Sequence, residues 1–370
     1  VRSRGLGDVY KRQYKNTAFY SLTGIMHIYY FWNILRVFYP SSMTSSPRTP
    51  HPRAVSTAPH VSCAQTEQLH QLVGDWFIAN ARDLPWRRAE CSAWGVMVSE
   101  FMLQQTPVKR VLPVWEEWMR RWPTPKDLAA EESAEAVRAW GRLGYPRRAQ
   151  RLHAAAQAIV LEHHGDVPGT YEQLLALPGV GSYTAAAITS FAFGRRATVI
   201  DTNIRRVHAR AISGKGLPNK SLNAAETRLA EALMPTDEQA SCLWNAATME
   251  LGALVCTAKS PTCSICPIRH LCAWVAAGKP EAEYTPQGQS WHGTDRQLRG
   301  AMMAVLREAH HPIPKELITN FSPDIVAPKN LLAVVKSLRT LGSSQEQIQR
   351  CYEGLLADGL ASEKDDLVSL

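Results

Sequence analysis

The sequence predicts an all-α fold from about residue 66 to residue 275, followed by a smaller domain. Two observations lead to this prediction. Apolar residues recur at helical spacing throughout the region, and no long run of alternating apolar and polar residues competes with that pattern. Short turns that contain Gly or Pro separate most of the helical segments. At 370 residues the chain is long enough for two or three domains.

The individual helices follow from these patterns. Apolar residues between 69 and 77 mark the first helix, and those between 94 and 102 mark the second. Thr106 and Pro107 predict the start of the third, because Thr is a favoured N-cap and Pro suits the first helical position. Further helices are predicted at about 125–131, 133–141, 146–164, 171–176, 182–194, 202–213, 222–234 and 238–255.

The two ends of the chain differ from this region. Residues 1–64 are expected to be a disordered or artefactual extension, with translation starting at Met43. Residues 277–292 are rich in Gly, Pro, Gln and Glu, which predicts a linker. Residues 293–370 are predicted to form a small winged-helix-like domain, from helical patterns near 295–309, 328–341 and 344–358 and a possible strand pair.

The composition favours an anionic partner inside the cell. The formal net charge is +8 and the isoelectric point is near 9.1, which suits nucleic acid or a membrane surface. The stretch 19–39 is apolar enough to suggest a membrane helix, but Asn33 and Arg36 interrupt it, so no membrane association is expected. A reducing, cytoplasmic location is expected because four cysteines are isolated in the sequence: Cys63, Cys91, Cys242 and Cys351.

Four other cysteines are close together. Cys256, Cys263, Cys266 and Cys272 have the spacing C-x6-C-x2-C-x5-C, with prolines bending the chain between them. Thiolates grouped in this way can converge on one centre, as zinc and iron–sulfur clusters both require. The pattern predicts a metal centre of one of these two kinds.

The segment LPGVG at 177–181 lies between two helical patterns. Gly179 and Gly181 permit backbone conformations that a side chain would block. Such a hairpin presents backbone N–H groups at the start of the next helix, where a nucleic-acid phosphate can bind. We predict that Leu177, Gly179, Val180 and Gly181 form a DNA-binding hairpin, although an ordinary helix turn would have the same pattern.

Two carboxylates are candidates for chemistry. Asp201 follows two apolar residues at an apparent helix start, where it is either an N-cap or a group that stabilises positive charge on a sugar. Glu100 is either a solvent-facing helix residue or a partly desolvated acid, because Val98, Phe101 and Met102 surround it in sequence. Desolvation would raise its pKa towards the working range of a general acid.

Taken together, these motifs resemble the MutY-type adenine DNA glycosylases of the helix–hairpin–helix superfamily. SEFMLQQT at 99–106, LGY at 143–145, LPGVG at 177–181, the Asp201 segment and the cysteine loop occur in the family's order. The resemblance covers about residues 66–275. It implies the helix–hairpin–helix glycosylase fold, a [4Fe–4S] cluster at the four cysteines, and excision of adenine mispaired with 8-oxoguanine or guanine in double-stranded DNA.

The resemblance also implies roles for particular residues. Glu100 would protonate adenine and Asp201 would stabilise the sugar cation, with Tyr183 and Asn203 assisting. Tyr183 occupies the position where the related endonuclease III branch has a Schiff-base lysine, which implies a monofunctional glycosylase. The remaining matches are the adenine-pocket residues Arg82, Trp86 and Arg87, and the residues near the opposite base, Gln105, Thr106 and Tyr145.

The match is incomplete after residue 275. The Nudix-like domain that helps many family members to recognise 8-oxoguanine has no counterpart in this sequence. The tail is expected either to bind DNA as a winged helix or to serve in packing. Two alternatives remain open: a pyrimidine glycosylase of the endonuclease III type, and a non-catalytic zinc DNA-binding module. By the resemblance we expect a monomeric bacterial protein at the nucleoid.

Overall fold

The computed structural model describes residues 62–370 except 286, 287, 289 and 323. The predictions for Met43, for the stretch 19–39 and for most of the N-terminal extension lie outside these residues. The predicted end of the extension at residue 64 is wrong, because Cys63 and Ala64 already belong to the first helix. Within them, no helix is both long and apolar enough to cross a membrane. The first helix, α1, begins at Cys63, and Ser62 caps it by accepting a hydrogen bond from the Gln65 backbone N–H.

The all-α prediction is confirmed for the region before residue 277. Most predicted helices begin and end within a few residues of the observed ones. A 3-10 turn covers Pro85–Arg87, and two more lie in the cysteine loop, at Cys263–Ile265 and Arg269–Leu271. The helices are α1 Cys63–Asn80, α2 Ala93–Leu103, α3 Val108–Arg121, α4 Pro125–Ala129, α5 Ser133–Trp140, α6 Arg147–Glu162, α7 Tyr171–Ala176, α8 Ser182–Phe191, α9 Thr202–Ala211, α10 Ala224–Ala232, α11 Glu238–Leu254 and α12 Ala273–Ala276.

Buried apolar residues divide this region into two parts. Helices α2 to α8 surround a cluster in which Trp118 packs edge-to-face on Trp122 and Trp140. Helices α1, α9 and α11 pack together around a second cluster, which includes Val73 and Trp244. Helix α8 contacts both α2 of the first part and α11 of the second. The junction between the two parts therefore lies beside α8.

After residue 292 the order of elements is one helix, one strand, three helices and two strands. We refer to this C-terminal part as the winged helix. The predicted strand pair is β2 and β3, and β1 adds a third strand that the sequence analysis missed because two residues are too short for an alternating pattern. The antiparallel sheet has the order β1-β3-β2. The elements are α13 Asp295–Glu308, β1 Ile313–Pro314, α14 Glu316–Thr319, α15 Leu332–Arg339, α16 Gln345–Ala357, β2 Ser362–Lys364 and β3 Leu367–Ser369.

This C-terminal part packs on α5 and α6. The Arg138 guanidinium donates to the backbone carbonyls of Arg307 and Ala309, the latter at 3.0 Å. Asp358 accepts from Arg147 at 3.1 Å and also pairs with Arg299. Buried residues of the C-terminal part and of helices α2 to α8 belong to one hydrophobic cluster. These contacts fix the winged helix against the helical region.

The segment predicted to be a linker is anchored where the structure describes it. The Tyr284 hydroxyl donates to the Pro218 carbonyl at 3.0 Å, and Glu283 pairs with Lys215 at 3.1 Å. Trp274 donates its indole N–H to the Pro280 carbonyl at 2.9 Å. The first part of the segment therefore follows the surface formed by α12 and the loop after α9.

Candidate active site

Glu100 lies in α2, a helix that is buried from Trp94 to Met102. Its residue surface is only 6% exposed, so the solvent-facing alternative is wrong. The Tyr183 hydroxyl donates a 2.9 Å hydrogen bond to Glu100 Oε2. Burial raises the pKa of Glu100 to about 7 and the charge of Asp201 acts in the same direction, while the Tyr183 hydrogen bond and Arg87 oppose them. A carboxyl with this pKa can hold and release a proton near neutral pH.

Tyr183 stands in the first turn of α8, directly after the Gly hairpin. Burial raises its pKa well above the usual value, and the negative charges of Glu100 and Asp201 raise it further. The phenol is therefore neutral over the physiological range and acts as a hydrogen-bond donor. Helix α2 is tied to α8 again nearby, where Gln104 Nε2 donates to Thr184 Oγ1 at 3.3 Å.

Asp201 is the N-cap of α9, as one of the two sequence interpretations predicted. Its Oδ1 accepts the Ile204 backbone N–H at 2.7 Å, and its Oδ2 accepts from Asn203 Nδ2 at 2.7 Å. Burial raises the pKa of Asp201, although these hydrogen bonds oppose the shift. The capping role also orients the carboxylate, so it is compatible with a charge-stabilising role at the same site.

Asn203 is held by Arg206, which the sequence analysis did not single out. Arg206 Nη2 donates to Asn203 Oδ1 at 2.8 Å and to the Gly252 carbonyl at 2.7 Å, and its Nε donates to the Cys256 carbonyl at 2.6 Å. Helices α9 and α11 approach closely here, because a Cβ added at Gly252 would lie 2.7 Å from Asn203 Cβ. One buried arginine therefore connects the Asp201 site to the cysteine loop.

Arg82 and Arg87 converge on Glu250, another residue that the sequence analysis missed. Glu250 is fully buried in α11 and accepts from Arg82 Nε at 2.7 Å, Arg82 Nη2 at 2.6 Å and Arg87 Nη2 at 2.9 Å. Burial alone would raise the pKa of Glu250, but these hydrogen bonds lower it to about 2. The arginines are therefore not free surface charges. Trp86 is buried edge-to-face against Trp115, with ring centroids 5.6 Å apart.

Gln105 and Tyr145 both have left-handed backbone conformations, with φ of 56° and 50°. Non-glycine residues rarely adopt this region, and the strain is common at ligand-binding sites. Gln105 is exposed and Tyr145 is 45% exposed, so the buried alternative for Tyr145 is wrong. Thr106 is buried, and its hydroxyl donates to the Leu143 carbonyl at 3.3 Å.

Arg148 holds these two loops together and was also missed. Its guanidinium donates to the carbonyls of Phe101 at 2.9 Å and Gly144 at 3.1 Å, and to Thr106 Oγ1 at 3.1 Å. It also lies 5.4 Å from the centroid of the Tyr145 ring. A run of three basic residues within 147–151 is the only sequence signal for it, and that signal does not distinguish a buried arginine from surface charge.

The segment 177–181 forms the predicted hairpin between α7 and α8. Leu177 and Val180 point into the core, while Gly179 and Gly181 are exposed. Gly179 has a φ of 74°, and a Cβ there would lie 2.5 Å from Arg151 Cβ. The N-cap of α8 makes no side-chain hydrogen bond, which leaves the first backbone N–H groups of the helix available to an anion.

The four clustered cysteines line one cavity together with Arg210, Arg269 and Trp274. Arg210 Nη1 lies 3.4 Å from Cys256 Sγ and 2.7 Å from the Thr257 carbonyl, so it fixes this wall of the cavity. Among the described residues, no three His, Cys, Asp or Glu side chains are close enough to hold a single metal ion. Thiols spread around a cavity suit a multi-iron cluster, which Cys ligands hold at its corners.

Known protein families match both the helical region and the cysteine loop. The model of HhH-GPD superfamily base excision DNA repair proteins matches residues 98–233, and that of the iron–sulfur binding domain of endonuclease III matches residues 256–272. Among solved structures, a thermostable thymine-DNA glycosylase superposes with a TM-score of 0.51 at 26% identity, over 57% of this chain and 97% of that one. An endonuclease III–DNA complex also has a TM-score of 0.51 at 22% identity, over 59% and 99%.

The fold and the site thus define a helix–hairpin–helix DNA glycosylase of base excision repair. The adenine DNA glycosylase of Mycobacterium tuberculosis strain CDC 1551 is 49% identical over 244 residues, 65% of this chain and 79% of that protein. The one from Mycolicibacterium smegmatis is 44% identical over 291 residues, 79% and 92% of the two chains. The chain belongs to the adenine DNA glycosylase family. The cofactor is a [4Fe–4S] cluster, and Cys256, Cys263, Cys266 and Cys272 would hold it.

Proposed function

We propose that this protein hydrolyses the N-glycosidic bond of adenine mispaired with 8-oxoguanine or guanine in double-stranded DNA. The observation that supports this most directly is the buried Glu100 carboxyl, whose pKa is about 7 and which is hydrogen-bonded to Tyr183 beside Asp201. Adenine is proposed as the excised base because the relatives at 44–49% identity are named adenine DNA glycosylase.

In the proposed reaction, Glu100 donates its proton to N7 of a flipped-out adenine. The C1′–N9 bond then breaks with both electrons leaving on the base, which makes the departing adenine neutral. The sugar is left as an oxocarbenium-like cation, and the Asp201 carboxylate, held by Asn203, stabilises it. Water adds to C1′, and its proton returns to Glu100. Tyr183 has no amine for a Schiff base, so the protein would be monofunctional.

The other predicted site residues have binding roles in this proposal. The backbone N–H groups after the hairpin 177–181 would bind a phosphate of the adenine strand. Arg82 and Arg87, held by Glu250, would border the adenine pocket behind which Trp86 packs. Gln105 and Tyr145, in their strained conformations, would enter the duplex beside the opposite base, near the buried Thr106, and offset part of the few kcal/mol that flipping costs.

The cluster would have a structural and DNA-docking role. Arg206 links the Cys256 carbonyl to Asn203, so the folded cysteine loop would help to position the Asp201 site from the far side of α9. We further propose that the protein acts as a monomer at the bacterial nucleoid. The two mycobacterial relatives described above are adenine DNA glycosylases of bacteria, and one copy of this chain supplies every residue in the reaction above.

A glycosylase assay tests the proposal. Purified protein should release adenine from duplexes with A opposite 8-oxoguanine or G, and should release no pyrimidine from T:G or oxidised-pyrimidine duplexes. Glu100→Gln should lower single-turnover release at least 1000-fold, a loss typical of removing an essential acid together with its charge, while binding is retained. Glu116→Gln, an exposed change on α3, is the matched control. Pyrimidine release, or full activity of Glu100→Gln, would contradict the proposal.

A further inference from the structure

The segment Trp291–Arg296, at the start of the winged helix, lies beside Tyr145. Arg296 Nη1 is 3.5 Å from the Tyr145 hydroxyl, although the two residues are 151 positions apart in the sequence. Tyr145 is the exposed, strained residue that the proposed function places next to the opposite base. A duplex that accommodates the Tyr145 ring between its bases must therefore pass Arg296 at close range.

The segment has a defined conformation. Thr294 caps α13 by accepting from the Gln297 backbone N–H, and Gln297 Oε1 accepts the Gly293 backbone N–H at 2.8 Å. The Arg296 guanidinium lies 5.4 Å above the Trp291 ring and donates to the Ser290 carbonyl at 3.3 Å. Trp291 is 48% exposed. The result is an arginine stacked on an accessible indole, a combination that suits a nucleic-acid backbone.

The segment is also fixed relative to Tyr145. The pair of Arg147 with Asp358 ties the first turn of α6 to the end of α16, and Arg138 ties α5 to the end of α13. Tyr145 is two residues before Arg147, so the same contacts position both sides of the Arg296–Tyr145 approach. The surface formed by Tyr145 and the Trp291–Arg296 segment is thus preformed, so DNA binding does not have to order it.

The surfaces that winged helices commonly present to DNA are unsuited to it here. Helix α16 exposes Glu346 and Glu353, and its Arg350 is paired with Asp295 at 2.8 Å. The turn between β2 and β3 contains Asp365 and Asp366, with Lys364 as the single basic residue of the exposed hairpin tip. Negatively charged side chains repel phosphates, so neither α16 nor the wing, the hairpin of β2 and β3, is the DNA-facing side of this domain.

We propose that the Trp291–Arg296 segment binds the sugar–phosphate backbone of the DNA strand opposite the adenine strand. Arg296 contacts a phosphate next to the opposite base, and Trp291 supports the guanidinium. This inference rests on the proposed function, because that function places the duplex at Tyr145. The winged helix then extends the DNA interface through its first helix and the residues before it, and not through α16 or the wing.

Salt-dependent binding tests the inference on the full chain with its cluster. Affinity is measured for an A:8-oxoguanine duplex in a Glu100→Gln background, which prevents turnover. Arg296→Ala should weaken binding about fivefold or more and reduce the slope of log Kd against log salt by about 1, the expected effect of losing one phosphate contact. Arg296→Lys should retain the slope. Lys364→Ala, on the wing, should change neither quantity.

Neutral phosphates identify the strand. Methylphosphonates placed near the opposite base should weaken binding of the parent protein and have no additional effect on Arg296→Ala. Additive effects, an unchanged salt slope for Arg296→Ala, or a reduced slope for Lys364→Ala would each overturn the inference. Adenine release by the wild-type protein is measured in parallel. If no adenine is released, the proposed function is refuted. If adenine is released but Arg296→Ala binds DNA with the parent affinity and salt slope, only this interface is refuted.

Discussion

At the scale of single residues, the site is defined by how Glu100 is kept protonated. Burial is the dominant cause of its raised pKa, and the adjacent Asp201 charge adds to it. Because the protonated form is the proposed acid, the acid form is progressively lost as pH rises through about 7. Adenine release should therefore decline on the alkaline side of neutrality.

Tyr183→Phe should move this alkaline limb to higher pH. The Tyr183 hydrogen bond stabilises the charged carboxylate and so lowers the pKa of Glu100; its removal must raise that pKa. A net hydrogen bond of about 0.5–1.5 kcal/mol corresponds to a shift of roughly 0.4–1 pH unit. The measurement is the pH at half-maximal single-turnover rate, with Tyr171→Phe as the control. A limb that moves to lower pH would show that Tyr183 acts differently.

At the scale of elements, the close approach of α9 and α11 at Gly252 sets the position of Asn203. Gly252→Ala places a Cβ within 2.7 Å of Asn203 Cβ and 2.8 Å of its backbone oxygen. We expect a loss of about 1–3 kcal/mol in the free energy of unfolding, together with slower adenine release, because α9 must shift.

Gly300→Ala is the matched change for this prediction. Gly300 is also helical, and an added Cβ would meet only the edge of Trp291 at 3.8 Å, an ordinary contact. This variant should be neutral or slightly stabilising, because Ala favours a helix over Gly. Denaturant unfolding of both variants, alongside single-turnover rates, makes the comparison. Equal stabilities would mean that α9 accommodates the Cβ without moving.

The elements also show what sequence patterns could and could not reveal. Helical periodicity located most helices, and the position of Asp201 after an apolar pair correctly indicated an N-cap. Glu250, Arg148 and Arg206 were missed because each has essential partners that are distant in the sequence: Arg82 is 168 residues from Glu250, Phe101 is 47 from Arg148, and Cys256 is 50 from Arg206. A charge in an apolar helix signals burial, but the partner that neutralises it follows only from the tertiary fold.

At the scale of the whole molecule, the cysteine loop and the acid belong to different packing clusters. Val255 and Cys256 pack in the cluster formed by α1, α9 and α11, whereas Phe101 and Met102, beside Glu100, belong to the cluster formed by α2 to α8. Damage to the loop should therefore reach the Asp201 side of the site first.

Removal of the iron–sulfur cluster should weaken DNA binding but should not shift the pH at which adenine release declines on the alkaline side. The visible absorption band of the iron–sulfur protein should disappear after oxidation and chelation, and Kd for the A:8-oxoguanine duplex should rise at least tenfold, since the Arg206 contact to Cys256 would be lost. A pH limb that shifts together with Kd would mean that the two packing clusters are coupled. A colourless protein with stoichiometric zinc would contradict the assigned cofactor.

Helix α6 contacts three regions of the protein: the winged helix, the loops of Gln105 and Tyr145, and the hairpin at 177–181. Arg147 pairs with the winged helix, Arg148 holds the two strained loops, and Arg151 packs beneath the hairpin at Gly179. Successive residues of an α-helix are separated by about 1.5 Å along the axis and about 100° around it. Arg147 and Arg151 are therefore about 6 Å apart along the helix axis. One short stretch of α6 thus positions the winged helix, the loops of Gln105 and Tyr145, and the hairpin relative to one another.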